Sequence, residues 1–242
     1  QTEAGFAATL DTVLAIRPNR IALYSYAHLP ELFRAQRQIR AEDLPNPAAK
    51  LGLMRLAIET LTRTGYHYVG MDHFALPEDE LVREQQRGRL QRNFQGYSTH
   101  AECDLIGLGM SAIGRVGDAY AQNAKDLIGY DAALDAGRLP IARGIVLDDD
   151  DQVRGAIIQG LMCCGEIDIG ALEQRFGLAF EERFAAELAQ LRELAADGLV
   201  EFGCDRIRVT PRGRLLLRPI AMCFDAYLAR PRPAVARFSR VI

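Results

Sequence analysis

The pattern that most constrains the fold is an alternation of helical and extended segments at the start of the chain. Phe6, Leu10, Val13 and Leu14 repeat at helical spacing and predict a helix over 2–16, ended by Pro18 and Asn19. Residues 20–26, apolar and aromatic, read as a strand suited to a covered sheet. A short helix over 31–40 lies in the connection. Pro47 opens a second long helix through Leu51, Leu53, Leu56, Ile58 and Leu61, stopped by Gly65, and 66–71 is the next strand. Helix–strand–helix–strand order predicts parallel-sheet units. Two such units are too few for a closed barrel and read as the closing part of a partial α/β barrel. Strand ends carry function in such folds, which puts Ala27 and His28, and Met71 to His73, where a site is expected.

Residues 77–91 read as a charged helix, 94–114 as strands and turns, and 121–136 as a helix with Asp131 and Asp135 on its polar face. Residues 145–151 read as a linker. Four acids, Asp148 to Asp151, precede Val153, where negative charge complements a helix dipole. From Val153 the order is helix, helix, a long helix over 180–196, strands over 199–202 and 207–209, and a closing helix over 211–228. That order predicts a winged-helix-like unit. The expected domains are therefore 1–147 and 148–242, an α/β part and a mostly helical part. Arg230-Pro231-Arg232-Pro233 cannot continue a helix, so the tail is expected to be extended.

No apolar run reaches bilayer-spanning length. Five unevenly placed cysteines (Cys103, Cys163, Cys164, Cys204, Cys223) form no secreted disulfide framework, so a cytoplasmic location is expected. Cys163 and Cys164, inside a helical run, read as buried free thiols rather than a metal pair. A net charge of −3 argues against a nucleic-acid surface. Arg83, Arg87 and Arg89 read as a solvated face paired with nearby acids. Arg92 adjoins the next segment and is the better candidate for a ligand.

That segment runs Leu90-Gln91-Arg92-Asn93-Phe94-Gln95-Gly96-Tyr97-Ser98-Thr99, then Asp104-Leu105-Ile106-Gly107-Leu108-Gly109-Met110-Ser111-Ala112-Ile113. Phe94 and Gln95 pair an apolar plate with a double-headed amide. Gly107 and Gly109 let a backbone or ligand approach closely. The residues alone leave a bulged core strand and a functional loop both open. With Tyr24-Ser25-Tyr26-Ala27-His28-Leu29-Pro30, Gly65-Tyr66-His67-Tyr68-Val69-Gly70-Met71-Asp72-His73-Phe74-Ala75, Ala221-Met222-Cys223-Phe224-Asp225-Ala226-Tyr227-Leu228 and the terminal Phe238-Ser239-Arg240-Val241-Ile242, the chain resembles the C-terminal half of oxygen-independent coproporphyrinogen III oxidases, a radical S-adenosylmethionine (SAM) family.

The resemblance implies the closing units of a partial radical-SAM barrel with the winged-helix-like unit behind them. It implies oxidative decarboxylation of two propionates of coproporphyrinogen III, giving protoporphyrinogen IX in haem biosynthesis. The implied cofactors are SAM and a [4Fe-4S] cluster. The family's C-x3-C-x2-C cluster spacing is absent, so the chain is expected to be a C-terminal fragment, inactive alone. By resemblance Ala27 and Ile113 are SAM-binding positions and Phe94 and Gln95 line the SAM and substrate pocket, where Arg92 is expected too from its charge and its place beside the motif. Porphyrinogen, SAM and an electron-donor protein are the implied partners, with no nucleic acid, no membrane and a monomeric state.

His28 and His73 each read either as donors to a carboxylate or proton shuttles, or as structural histidines. His67 reads as structural, and nothing is assigned to His100. Two alternatives remain. A haem-carrying paralogue resembles the barrel but lacks the Arg-Asn-Phe-Gln-Gly-Tyr and Met-Asp-His-Phe-Ala motifs. A winged-helix DNA regulator would need a basic groove-reading helix, whereas 180–196 carries Glu181, Glu182, Glu187 and Glu193.

Overall fold

The computed structural model describes residues 1–100 and 103–228. Helix α1 (Glu3–Ile16) starts on Thr2, whose hydroxyl accepts from the Gly5 amide at 3.2 Å. Strand β1 (Arg20–Ala22) is shorter than the expected 20–26. Two 3₁₀ turns, Arg34–Gln38 and Ala41–Asp43, replace the helix expected over 31–40. Helix α2 (Pro47–Arg63) starts on the Asn46 side chain with Pro47 in its first turn. Strands β2 (His67–Gly70) and β3 (His73–Ala75) follow.

The expected parallel pairing of β1 with β2 does not form. β3 lies between them, antiparallel to both, with Phe74 opposite Ile21 on one side and Tyr68 on the other. A tight turn after β2 returns the chain at once, and apolar Phe74 and Ala75 bury themselves in the slot. Leu10, Leu61, Tyr66 and Tyr68 complete this core beneath α1 and α2.

Helix α3 (Glu80–Gln86) is capped by Asp79 and covers less than 77–91, because Gly88 at φ 68° turns the chain away. Glu84 holds Arg87 at 2.8 Å and Arg89 at 2.7 Å, the internally paired face expected there. Strands β4 (Gln91–Asn93) and β5 (Gly96–Ser98) form a hairpin with Phe94 and Gln95 at its two-residue tip. Strands β6 (Ile113–Val116), β7 (Ala119–Asn123) and β8 (Ile141–Val146) form an antiparallel sheet in that order. The helix expected over 121–136 is confined to α4 (Leu127–Asp135). Residues 119–123 instead pair on both sides, and ladder bonds on two edges outweigh their alanine-rich helix propensity. β8 likewise takes up the start of the expected linker.

The Gly107–Gly109 segment is a loop rather than a bulged core strand. A Cβ on Gly107 would lie 3.0 Å from the Ile113 carbonyl carbon, so its close neighbour is this chain's own backbone. Buried Asn123 donates to the Gly107 and Gly109 carbonyls at 3.0 and 2.9 Å.

Helix α5 (Asp149–Cys164) opens on a reciprocal cap between Asp148 and Asp151. Then come β9 (Glu166–Asp168), α6 (Ile169–Phe176), α7 (Phe180–Arg183), α8 (Ala185–Ala196), β10 (Val200–Phe202), β11 (Arg206–Val209), a 3₁₀ turn (Gly213–Leu216) and α9 (Leu217–Met222). The helix expected over 180–196 breaks at Phe184 (φ −111°, ψ 28°), whose ring turns into the core. The sheet order is β10-β11-β9, all antiparallel. The expected extended tail, and the terminal motif over 238–242, lie outside the described residues.

The last turn of α5 has carbonyls with no partner inside the helix. The α/β part supplies donors. Tyr97 Oη donates to the Met162 carbonyl at 2.9 Å, and Gln85 Nε2 donates to the Cys163 carbonyl at 2.6 Å. Cys163 is buried, and burial pushes its thiol up to about 12. Cys103 and Cys204 are exposed. A thiol reagent should therefore modify Cys103 and Cys204 promptly in the native chain and reach Cys163 only on unfolding. Peptide mass mapping checks this; early labelling of Cys163 contradicts it.

Candidate functional site

The β2–β3 turn is a strained, tightly held piece of backbone. Gly70 lies at φ 153°, and a Cβ there would sit 2.6 Å from Tyr97 Oη. Met71 is left-handed at φ 52°, a conformation that costs a non-glycine residue about 1–2 kcal/mol. Tyr68 Oη donates to the Met71 carbonyl at 2.8 Å, and the Leu23 amide donates to the Asp72 carbonyl at 2.7 Å.

These bonds fix the next two side chains. Asp72 Oδ1 lies 2.6 Å from His73 Nδ1, with both side chains largely buried at 13% and 14% exposure. With the Asp72 carboxylate as acceptor, the Nδ1–H of His73 donates to it, and this bond orients the ring. The His73 ring meets Tyr97 edge-on at 5.1 Å and Tyr24 at 6.1 Å. Its Nε2 lies under the hairpin, 3.2 Å from where a Gly96 Cβ would stand. Two of the other histidines bond within the chain: His28 Nε2 donates to the Gln36 carbonyl at 3.2 Å, and His67 Nε2 to Gln85 Oε1 at 2.9 Å.

Two concavities flank this centre. A cavity of about 450 Å³ lies between the chain after β1, the start of α2, the Met71–Asp72 turn and the Arg214–Pro219 segment. A second, of about 300 Å³, is lined by Phe94, Ile113, Tyr120, Gln122, Arg143 and Gly144 among others. Ala27 lines the first, and its carbonyl accepts from Gln36 Nε2 at 3.0 Å. Phe94 and Ile113 come together in the second, with the Phe94 ring edge-on to Tyr120 at 5.8 Å. Gln95 is exposed at the hairpin tip, its backbone N–H donating to Asn93 Oδ1 at 2.9 Å.

Arg92 lines neither cavity. Its guanidinium lies over the Tyr97 ring at 5.7 Å, and its Nε is buried without a partner among the described residues. Its backbone is clamped by Gln159, which donates to the carbonyl at 2.6 Å and accepts from the amide at 3.0 Å. The sequence reading missed Lys50, Arg214 and Arg218, all on the larger cavity. The spacing of Arg214 and Arg218, four apart beside Pro219, was the available signal.

The second cavity fits one flank of SAM. Phe94, Tyr120 and Ile113 offer aromatic and branched surface to an adenosine, and Gln122 and Arg143 put an amide and a guanidinium at its rim. Among the described residues no three cysteine, histidine or acidic side chains gather as a metal site. Reconstitution of this chain with iron and sulfide should yield no stable four-iron cluster. Cluster absorption with four irons per chain would overturn that. Among the described residues no helix is long and apolar enough to cross a membrane.

Residues 147–216 match the family described as HemN C-terminal domain. The whole chain is 50% identical to an oxygen-independent coproporphyrinogen III oxidase of Pseudomonas aeruginosa, spanning 52% of that relative. It is 48% identical to the protein of the same name from Thermostichus vulcanus, over 94% of the chain and 70% of the relative. A solved structure, described as coproporphyrinogen III oxidase (HemN) from Escherichia coli, a radical SAM enzyme, superposes with a TM-score of 0.90. It is 47% identical, and the match covers 94% of this chain and 52% of that one. The chain thus spans about half the length of the Pseudomonas and Escherichia proteins.

Proposed function

This chain belongs to the oxygen-independent coproporphyrinogen III oxidase family, and we propose that it supplies the C-terminal part of an enzyme that oxidatively decarboxylates two propionates of coproporphyrinogen III. The observation that carries this is the shared cavity of Phe94 and Ile113, with Gln95 at the adjoining hairpin tip. The hairpin tip and the first residue of β6 thus meet at one cavity.

In this reading Ile113 and Phe94 pack against SAM, Ala27 lets a ligand approach the backbone beside the larger cavity, and Gln95 offers its amide to a carboxylate or ribose hydroxyl. Arg92 acts through Tyr97 and the hairpin. SAM, when bound, supplies the oxidising chemistry. The residues of this chain bind, orient and exclude water. The [4Fe-4S] ligands and the rest of the SAM cradle belong to sequence outside this chain. A cytoplasmic monomer that takes electrons from a donor protein completes the proposal.

The same reading divides the chain after residue 147. The first part closes a partial barrel through α1–β1 and α2–β2, with β3 inserted. The second has the helix order and three-stranded sheet of a winged helix. The acidic α7–α8 surface disfavours DNA, and the names of the relatives favour neither a DNA regulator nor a haem carrier.

Gln95→Ala, made in the longer protein that carries this chain, tests the site. Loss of a ligand hydrogen bond worth about 1–3 kcal/mol should slow decarboxylation roughly ten- to a hundredfold. Gln95 is exposed and carries no packing load, so the melting temperature should hold. Unchanged turnover removes this hairpin from the active site.

A further inference from the structure

The larger cavity gathers positive charge in a chain whose net charge is −3. Lys50 at the start of α2, Arg214 on the 3₁₀ turn and Arg218 on α9 line it with a single acid, Asp72. Asp72 is already engaged by His73 at 2.6 Å. None of the three cations forms an ion pair among the described residues. Arg214 and Arg218 stand on either side of the junction between the 3₁₀ turn and α9. Folding alone gives no reason to collect them.

Their backbone is preset. A Cβ on Gly213 would fall 2.0 Å from the Leu199 carbonyl oxygen, so this glycine seats the turn directly on the strand hairpin below. The Arg214 charge reaches the buried Tyr68 hydroxyl, where it opposes the upward push of burial. Apart from Tyr24 and Ser25 the remaining wall is apolar, with Leu23, Met54, Met71, Leu215, Leu217 and Pro219 among its residues. A small hydrophilic anion would leave that wall wet. A large apolar body with several carboxylates would cover the wall and meet the cations together, the guanidiniums bidentately.

We propose that this cavity is a carboxylate subsite, in which Lys50, Arg214 and Arg218 receive propionate groups of the tetrapyrrole substrate. The proposal rests on the oxidase reading above and adds binding residues to it. It also moves the expected cationic contact from Arg92, which lines neither cavity, to three residues that line the larger one.

The test titrates this chain with coproporphyrin III, the air-stable oxidised form of the porphyrinogen, by fluorescence. Its tetramethyl ester serves as the uncharged control. Saturable binding of the tetra-acid is expected, with Arg214→Gln and Arg218→Gln each raising Kd about tenfold and the double variant about a hundredfold. Arg218→Lys should retain part of the affinity. Both arginines reach solvent, so thermal melts of the variants should match the parent. A double variant that binds as tightly as the parent, or an ester that binds as tightly as the tetra-acid, overturns the subsite. So does a parent chain that binds no coproporphyrin. In each case the oxidase reading is judged separately, by turnover of the longer protein and its Gln95→Ala variant.

Discussion

Phe184→Ala is expected to destabilise the chain by about 4 kcal/mol, a large share of the roughly 5–15 kcal/mol that holds a folded domain. Phe180, Phe184 and Phe224 are all fully buried. The Phe184 ring lies 5.1 Å from Phe180 and 5.6 Å from Phe224. Above it sits the Arg154 guanidinium, 5.2 Å from the ring centre. Arg154 in turn binds Asp150 at 2.6 Å and Glu187 at 2.7 Å, so it ties the first turn of α5 to α8. Truncation opens a cavity and strips a largely buried cation of its aromatic floor. Alanine adopts the Phe184 backbone angles readily, so the loss is one of packing. Urea unfolding should show the midpoint falling with the slope unchanged. A loss below about 1 kcal/mol would mean the ring is not the keystone of this core.

Gln85→Leu is expected to cost about 2–3 kcal/mol, although leucine keeps most of the volume. Gln85 Nε2 donates to the Val69 and Cys163 carbonyls, each at 2.6 Å, and Oε1 accepts from His67 at 2.9 Å. The change leaves partly buried acceptors without a donor, which is harsher than losing one exposed bond. Hydrogen exchange should quicken in the last turn of α5 before it quickens in α8. Equal protection in parent and variant would show that water takes over the role of the amide.

Helix starts were legible because they depend on neighbours in sequence. Thr2, Asn46 and Asp148 each cap the helix that follows. The β2–β3 reversal was not legible: methionine carries no preference for a left-handed backbone, and the turn is held by Tyr68 on the Met71 carbonyl and Leu23 on the Asp72 carbonyl, partners that no local pattern announces. Residues 121–123 looked helical because local propensity favours helix, while the ladder that overrules it comes from β6 and β8. At the site, Phe94, Gln95 and Ile113 were named from resemblance, and the meeting of Phe94 with Ile113 at one cavity is a property of the fold. Lys50, Arg214 and Arg218 escaped notice because three distant segments bring them to one cavity, and each alone is an ordinary surface charge.

The β4–β5 hairpin is fastened at its base from two sides: Gln159 clamps the Arg92 backbone, and Tyr97 is bonded to Met162. Only the four residues Asn93 to Gly96 lie past those fastenings, with Phe94 and Gln95 at the turn, and the Asn93 side chain holds that turn through the Gln95 N–H. The tip therefore behaves as a short cantilever rather than a flap. A ligand meets it already in place, little affinity is lost to ordering a loop, and selectivity falls to shape: a ligand too bulky for the space beside Phe94 finds no hinge that would let the tip retreat.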